Sequence, residues 1–313
     1  MDHRTPAWRL RAALAAALAL SALTGVAFAV SGALVQGFHG MDGSARASPV
    51  TVPTILPALP ERGRTNTSSM PPPDEEVADR DLPLPLAADP HGKGAVQILD
   101  AGFYPQRAVG WLWIQRASGE WATCTGTLVG PRSVLTAAHC IYDRKAAAWA
   151  TQIIFIPGAT GEDAEIFGAF DYSDATILSS YVEAEAGPDD PVPGMQWDVA
   201  IVTLAEPAGE TLGWFGLAAD DGTPFEATMI GYPATQPEQT LWEIHCDVPR
   251  AESGALAFAY ECPDGTAISG GAMFATAPDG EHYIRALNLG NDSQTGYALR
   301  LNEAYVTWIT EQR

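Results

Sequence analysis

The stretch CTGTLVGPRSVLTAAHC, residues 124–140, decides how the rest of the chain is read. Its first half is a short run of Thr, Leu and Val that ends at Gly-Pro, and its second half leads to a histidine followed by a cysteine. Working outward, the same texture recurs in AVGWLWIQ, TQIIFIPG, DVAIVTL, EATMIGYP and EHYIRALNLG. These runs are rich in β-branched and aromatic residues and are broken by Gly, Pro and Asp, so they read as strands and turns. Many short strands with almost no long segment of helical period point to an all-β fold of barrels or sandwiches. The exception is the end, NEAYVTWITEQR, where Tyr305, Val306, Trp308 and Ile309 share one face of a short C-terminal helix. No internal repeat is visible.

Composition narrows the function. The chain has 313 residues, enough for a substantial core. Its 17 Lys and Arg against 38 Asp and Glu give a formal charge of -21, which repels nucleic acid and anionic lipid. The N-terminus joins a basic leader to an apolar run with Ala27-Phe28-Ala29 as a small-x-small cleavage site, so residues 1–29 read as an export signal. Left uncut, the run from Ala12 to Val35 is long enough to act as an anchor, the one route to a membrane. Ten prolines between Pro49 and Pro90 preclude a core there. Residues 30–95 therefore read as a largely disordered linker or propeptide, and 96–313 as the folded domain. Four cysteines in an exported chain favour disulfides over thiols. With no C-x-x-C, neither a metal nor a cofactor is expected.

Three segments carry the chemistry. His139 closes TAAHC, and an imidazole near neutral pKa can take and return a proton. Asp198 opens the apolar run of WDVAIVTL, and Ser269 lies in GTAISGG. Together they resemble the chymotrypsin-like serine peptidases, which use this chain order of base, carboxylate and nucleophile. GYPATQPEQTLWEIHCDV and YECPDGTAISGG make the bacterial V8-like, glutamyl-endopeptidase-like branch the closer likeness, over residues 96 to 313.

The resemblance implies two six-stranded antiparallel β-barrels, about 96–205 and 206–313, with His139 as base, Asp198 as orienter and Ser269 as nucleophile. It also implies Cys124–Cys140 and Cys246–Cys262 disulfides and an oxyanion hole from the backbone N–H groups of Ala267 and Ser269. Ser253, in AESGALAF, sits in no comparable frame. The chain departs from the family pattern at Ala267, where the family has glycine, and at Ala272, where it has proline. Asp264, Asn288, Leu289 and Gly290 are expected at the substrate pocket. Asn288 stands where glutamate-specific members have histidine, and a carboxylate at Asp264 would favour Arg or Lys. The expected protein is a monomeric serine endopeptidase, secreted or periplasmic, acting on proteins or peptides. The alternative is a pseudoprotease in which the same fold binds a protein partner.

Overall fold

The computed structural model describes residues 38–39, 66–67, 94–161, 165–184, 194–252, 255–262, 268–291 and 295–313. Three short strands lead in: β1 (Phe38–His39), β2 (Asn66–Thr67) and β3 (Val96–Ile98). The first half of the domain holds β4 (Val109–Gln115), β5 (Trp121–Leu128), β6 (Ser133–Thr136), β7 (Tyr142–Asp143), β8 (Ala148–Trp149), β9 (Gln152–Pro157), β10 (Phe170–Ile177) and β11 (Ala200–Leu204). The second half holds β12 (Gly216–Ala218), β13 (Phe225–Gly231), β14 (Leu241–Val248), β15 (Ala257–Tyr260), β16 (Ala272–Thr276), β17 (His282–Asn291) and β18 (Gly296–Arg300).

Six strands of the first half run β9-β4-β5-β6-β11-β10, all antiparallel, and β10 returns to β9 through Phe170↔Phe155 and Asp171↔Ile154. That ladder closes the barrel and removes the free edge. The run VGWLWI in β4 is buried on both faces, so it shows no inside-outside alternation. By contrast β14 alternates from Ile244 onward, with Ile244, Cys246 and Val248 buried, His245 half-buried and Asp247 exposed. A half-buried antiparallel strand must read this way, because successive side chains point to opposite faces.

The second sheet runs β15-β18-β17-β16-β13-β14, again six antiparallel strands. Among the described residues no ladder joins β14 to β15. The Cys246–Cys262 disulfide ties the two edges instead, with Cα atoms 5.2 Å apart. The other half of β14 pairs with β3 through Leu241↔Ile98, so the domain's leading strand lies on the second barrel. Strand β12 adds a parallel pairing to β17, an exception to the antiparallel rule. From residues 30–95, β1 pairs with β10 and β2 with β12, two residues each.

The terminal helix Glu303–Glu311 buries Tyr305, Val306, Trp308 and Ile309, the face expected from spacing. Its N-cap Asn302 accepts a hydrogen bond from the Tyr305 N–H at 3.2 Å, satisfying one of the orphan donors of the first turn. Ser133 Oγ donates to the Gln312 carbonyl at 3.0 Å, which pins the end of the helix to β6 of the first barrel. Among the described residues no helix is long and apolar enough to cross a membrane. The export signal or anchor of residues 1–35 lies outside the described residues.

Candidate active site

His139 sits in the single turn Ala138–Ile141, directly after β6 ends at Thr136. Its position is fixed covalently, because the neighbouring Cys140 is joined to Cys124 on β5 with Cα atoms 6.2 Å apart. Asp198 follows a 3-10 turn, Met195–Trp197, and leads into β11. Strands β6 and β11 pair through Ala200↔Thr136. The ladder therefore delivers the histidine and the aspartate to the same end of the first barrel.

Both oxygens of Asp198 are committed to His139. Oδ1 accepts the His139 backbone N–H at 2.8 Å and Oδ2 lies 2.7 Å from Nδ1. An ionised carboxylate can only accept, so Nδ1 carries the hydrogen and Nε2 of the neutral ring is the free base. Asp198 is 1% exposed, whereas the His139 side chain is 30% exposed. Burial, the largest influence, pulls the imidazole pKa down. The Asp198 charge and hydrogen bond outweigh it, with Arg116 opposing, and the result lies above the ordinary 6.5.

Ser269 comes from the second barrel, in the turn before β16. Its carbonyl accepts the Thr125 N–H at 2.8 Å, one residue from Cys124. Gly270 has φ +77°, and a Cβ there would lie 2.2 Å from Thr136 Oγ1 and 2.6 Å from the Thr125 carbonyl. Only glycine allows both that backbone and that approach. The serine turn is thus pressed against the strand ends that carry Cys124 and lead to His139. Thr136 Oγ1 donates to the Thr125 carbonyl at 2.8 Å, and the Tyr232 N–H donates to Thr125 Oγ1 at 2.9 Å. These two threonines brace the junction of the barrels. Sequence reading passed over them, since a strand threonine carries no signal of its own.

The Ser269 hydroxyl donates to the Leu289 carbonyl at 3.5 Å, and His139 Nε2 lies 3.8 Å from Cys140 Sγ. No hydrogen bond joins Ser269 to His139. Among the described residues the Ser269 N–H has no acceptor. Of the expected pocket residues, Asn288 is fully buried and Leu289 is 7% exposed. A side chain at Gly290 would begin 3.6 Å from Ser269 Oγ, so its absence leaves the space beside the hydroxyl open. Asp264, Ala267 and the competitor Ser253 lie outside the described residues. Cys124, His139 and Cys140 bring three ligand-type atoms within 4.8 Å of one another, but both sulfurs are joined in the disulfide.

Residues 102–282, more than half of the chain, match the Trypsin family, and the chain belongs to that family. The glutamyl endopeptidase of Bacillus licheniformis is 28% identical over 173 residues, which are 55% of this chain and 49% of that protein. The extracellular metalloprotease of Bacillus subtilis is 24% identical over 151 residues, 46% of this chain and 45% of that protein. The chain spans about half the length of these curated relatives. A solved Glu endopeptidase in complex with MPD superposes with a TM-score of 0.58 at 19% identity, covering 71% of this chain and 97% of that one. The protease Anisep from Arthrobacter nicotinovorans gives 0.54 at 18% identity, covering 68% and 96%. At such identities the likeness is one of fold.

Proposed function

We propose that the chain is an exported serine endopeptidase that hydrolyses proteins or peptides through an acyl-enzyme. The observation that carries this reading is the hydrogen-bonded pair of His139 with the buried Asp198, which leaves Nε2 as a free base on the same side as the Ser269 turn. Rotation of the Ser269 side chain between staggered wells releases the long bond to Leu289 and turns the hydroxyl toward the imidazole. As Oγ attacks the carbonyl carbon, His139 takes its proton, and Asp198 stabilises the imidazolium that forms. The negative oxygen of the tetrahedral intermediate is held by the N–H groups of Ser269 and Ala267. His139 then returns the proton to the leaving amine, and water repeats the sequence on the acyl-enzyme.

The relative named for glutamyl cleavage does not carry its preference over in a simple way. Asn288 is neutral and buried, so it offers no cation to a glutamate side chain. The P1 residue is instead read by the open side at Gly290 and by the segment around Asp264. Export rests on the leader and Ala27-Phe28-Ala29, with maturation releasing the domain from the proline-rich segment.

A fluorophosphonate probe tests the reaction on the secreted full chain. The wild type should label at one site and Ser269→Ala should not, with unchanged circular dichroism. Undiminished peptidase activity in Ser269→Ala would sink the nucleophile assignment. Absence of labelling in the wild type, with retained peptide binding, would favour a binding module.

A further inference from the structure

Asn288 is an uncharged polar residue with no exposed surface, and every polar group it has is engaged on or behind the nucleophile turn. Its backbone N–H donates to the Gly271 carbonyl at 2.8 Å and its carbonyl accepts from the Gly270 N–H at 2.9 Å. The side-chain Nδ2 donates to the Ile268 carbonyl at 2.8 Å. Its Oδ1 accepts the Tyr260 hydroxyl proton at 2.7 Å. Three of the four consecutive residues 268–271, namely Ile268, Gly270 and Gly271, are held by this one residue's side chain and backbone.

Tyr260 is itself 3% exposed and lies among the apolar residues inside the second barrel. Its ring fills the space over Gly296, where a Cβ would stand 2.5 Å from Cζ. The two residues are ladder partners of β15 and β18, so the ring packs across its own register partner, where only glycine leaves room for it. Two residues on, Cys262 is tied to Cys246. The approach to Ser269 is thus fixed at both ends, at Cys262 by a covalent bond and at Ile268 by the Asn288 amide.

We propose that the Tyr260–Asn288 pair is a buried positioning device that sets the Ser269 turn, and with it the Ser269 N–H, in the reactive geometry. The proposal rests on Ser269 being the nucleophile only for its kinetic consequence. The amide at Asn288 is neutral and donates on one side while accepting on the other, which a barrel interior tolerates because both needs are met. An oxyanion donor loses much of its value when shifted by a fraction of a bond length, so the anchor acts on kcat and leaves KM alone.

Two variants of the secreted full chain test this. Tyr260→Phe removes one hydroxyl and keeps the ring over Gly296. It should lower kcat and the fluorophosphonate labelling rate about tenfold with KM unchanged. Amide exchange in residues 268–274 should speed up about tenfold while the β4–β5 amides stay protected. Asn288→Asp keeps the acceptor for Tyr260 and faces the Ile268 carbonyl with a carboxyl. Buried there, that carboxyl is driven to its neutral form and can still donate. Labelling should hold at neutral pH and fall reversibly on the alkaline side, where the wild type does not.

Wild-type exchange at residues 268–274 in Tyr260→Phe would overturn the anchor whether or not the protein is an enzyme. Faster exchange with unchanged kcat in an active protein would overturn its catalytic consequence. If the wild type neither labels nor cleaves, the nucleophile reading fails, and the exchange measurement still decides whether the pair holds the turn.

Discussion

His139 shows how one contact couples activity and stability to pH in opposite senses. Its folded pKa lies above the ordinary 6.5, because the Asp198 charge and hydrogen bond overcome burial. A raised folded pKa means the folded state binds the proton more tightly than the unfolded chain. The stabilisation is therefore fully present below the unfolded value of 6.5 and is lost as pH rises through the raised folded value. The acylation proposed above has the reverse requirement, since in it only the neutral imidazole accepts the Ser269 proton. The labelling rate should rise through a pKa above 6.5 while this contribution to stability declines over the same interval. Asp198→Asn should remove the charge, lower that pKa and reverse the tautomer, with a loss in kcat on the order of 10⁴-fold. An unshifted acid limb in Asp198→Asn would show that the carboxylate does not govern the imidazole. Gly270 sets a steric limit at the same scale. Gly270→Ala would force Cβ onto Thr136 Oγ1 and the Thr125 carbonyl at a φ of +77°. It should destabilise the fold by about 2 kcal/mol or more, read by denaturant melts.

Among the elements, the seam between β14 and β15 tells most about what the disulfides do. The first barrel closes by a ladder, β9 to β10, and its Cys124–Cys140 bond serves to hold the histidine turn. Cys246–Cys262 spans two strand edges that share no ladder among the described residues. Replacing both of these cysteines by alanine should cost about 3 kcal/mol in the loop-entropy view. It should also speed exchange in β15 before β4, whereas a uniform effect on both barrels would contradict the seam role. The elements were legible because strand texture is local. TAAHC, WDVAIVTL and GTAISGG each announced a residue type at a strand end, and the helix face at Tyr305, Val306, Trp308 and Ile309 followed from spacing alone. What remained hidden depends on contacts between distant segments. Nothing in the sequence YEC shows that Tyr260 reaches Asn288, 28 residues away. Nor does ALNLG show that Asn288 turns inward to the nucleophile turn. The pairing of β3 with β14 was equally unreadable, since a three-residue strand fits either barrel.

At the scale of the whole molecule, the proposed site lies where the barrels meet. His139 and Asp198 come from the first barrel and Ser269 from the second, joined through Thr125, Thr136 and Gly270. Around that junction lies a chain with a formal charge of -21, nearly all of it carried after the proline-rich segment. Only 17 Lys and Arg are present, and the most buried of them among the described residues, Arg300, is paired with Asp220 at 2.9 Å. Such an excess sets up a negative potential that extends about one Debye length, roughly 8 Å at physiological salt and about 30 Å at 10 mM. It acts on the encounter and leaves the bound complex alone, so it should appear in kcat/KM and not in kcat. For two peptides with the same cleaved bond, one flanked by lysines and one by glutamates, kcat/KM should diverge at low ionic strength. Added salt should slow the basic peptide and speed the acidic one until the two converge near about 0.5 M. This response is independent of the P1 pocket, because the flanking charges stay outside it. If both peptides respond to salt in the same direction, the field around the junction is neutralised locally, and the net charge has no bearing on which substrates arrive.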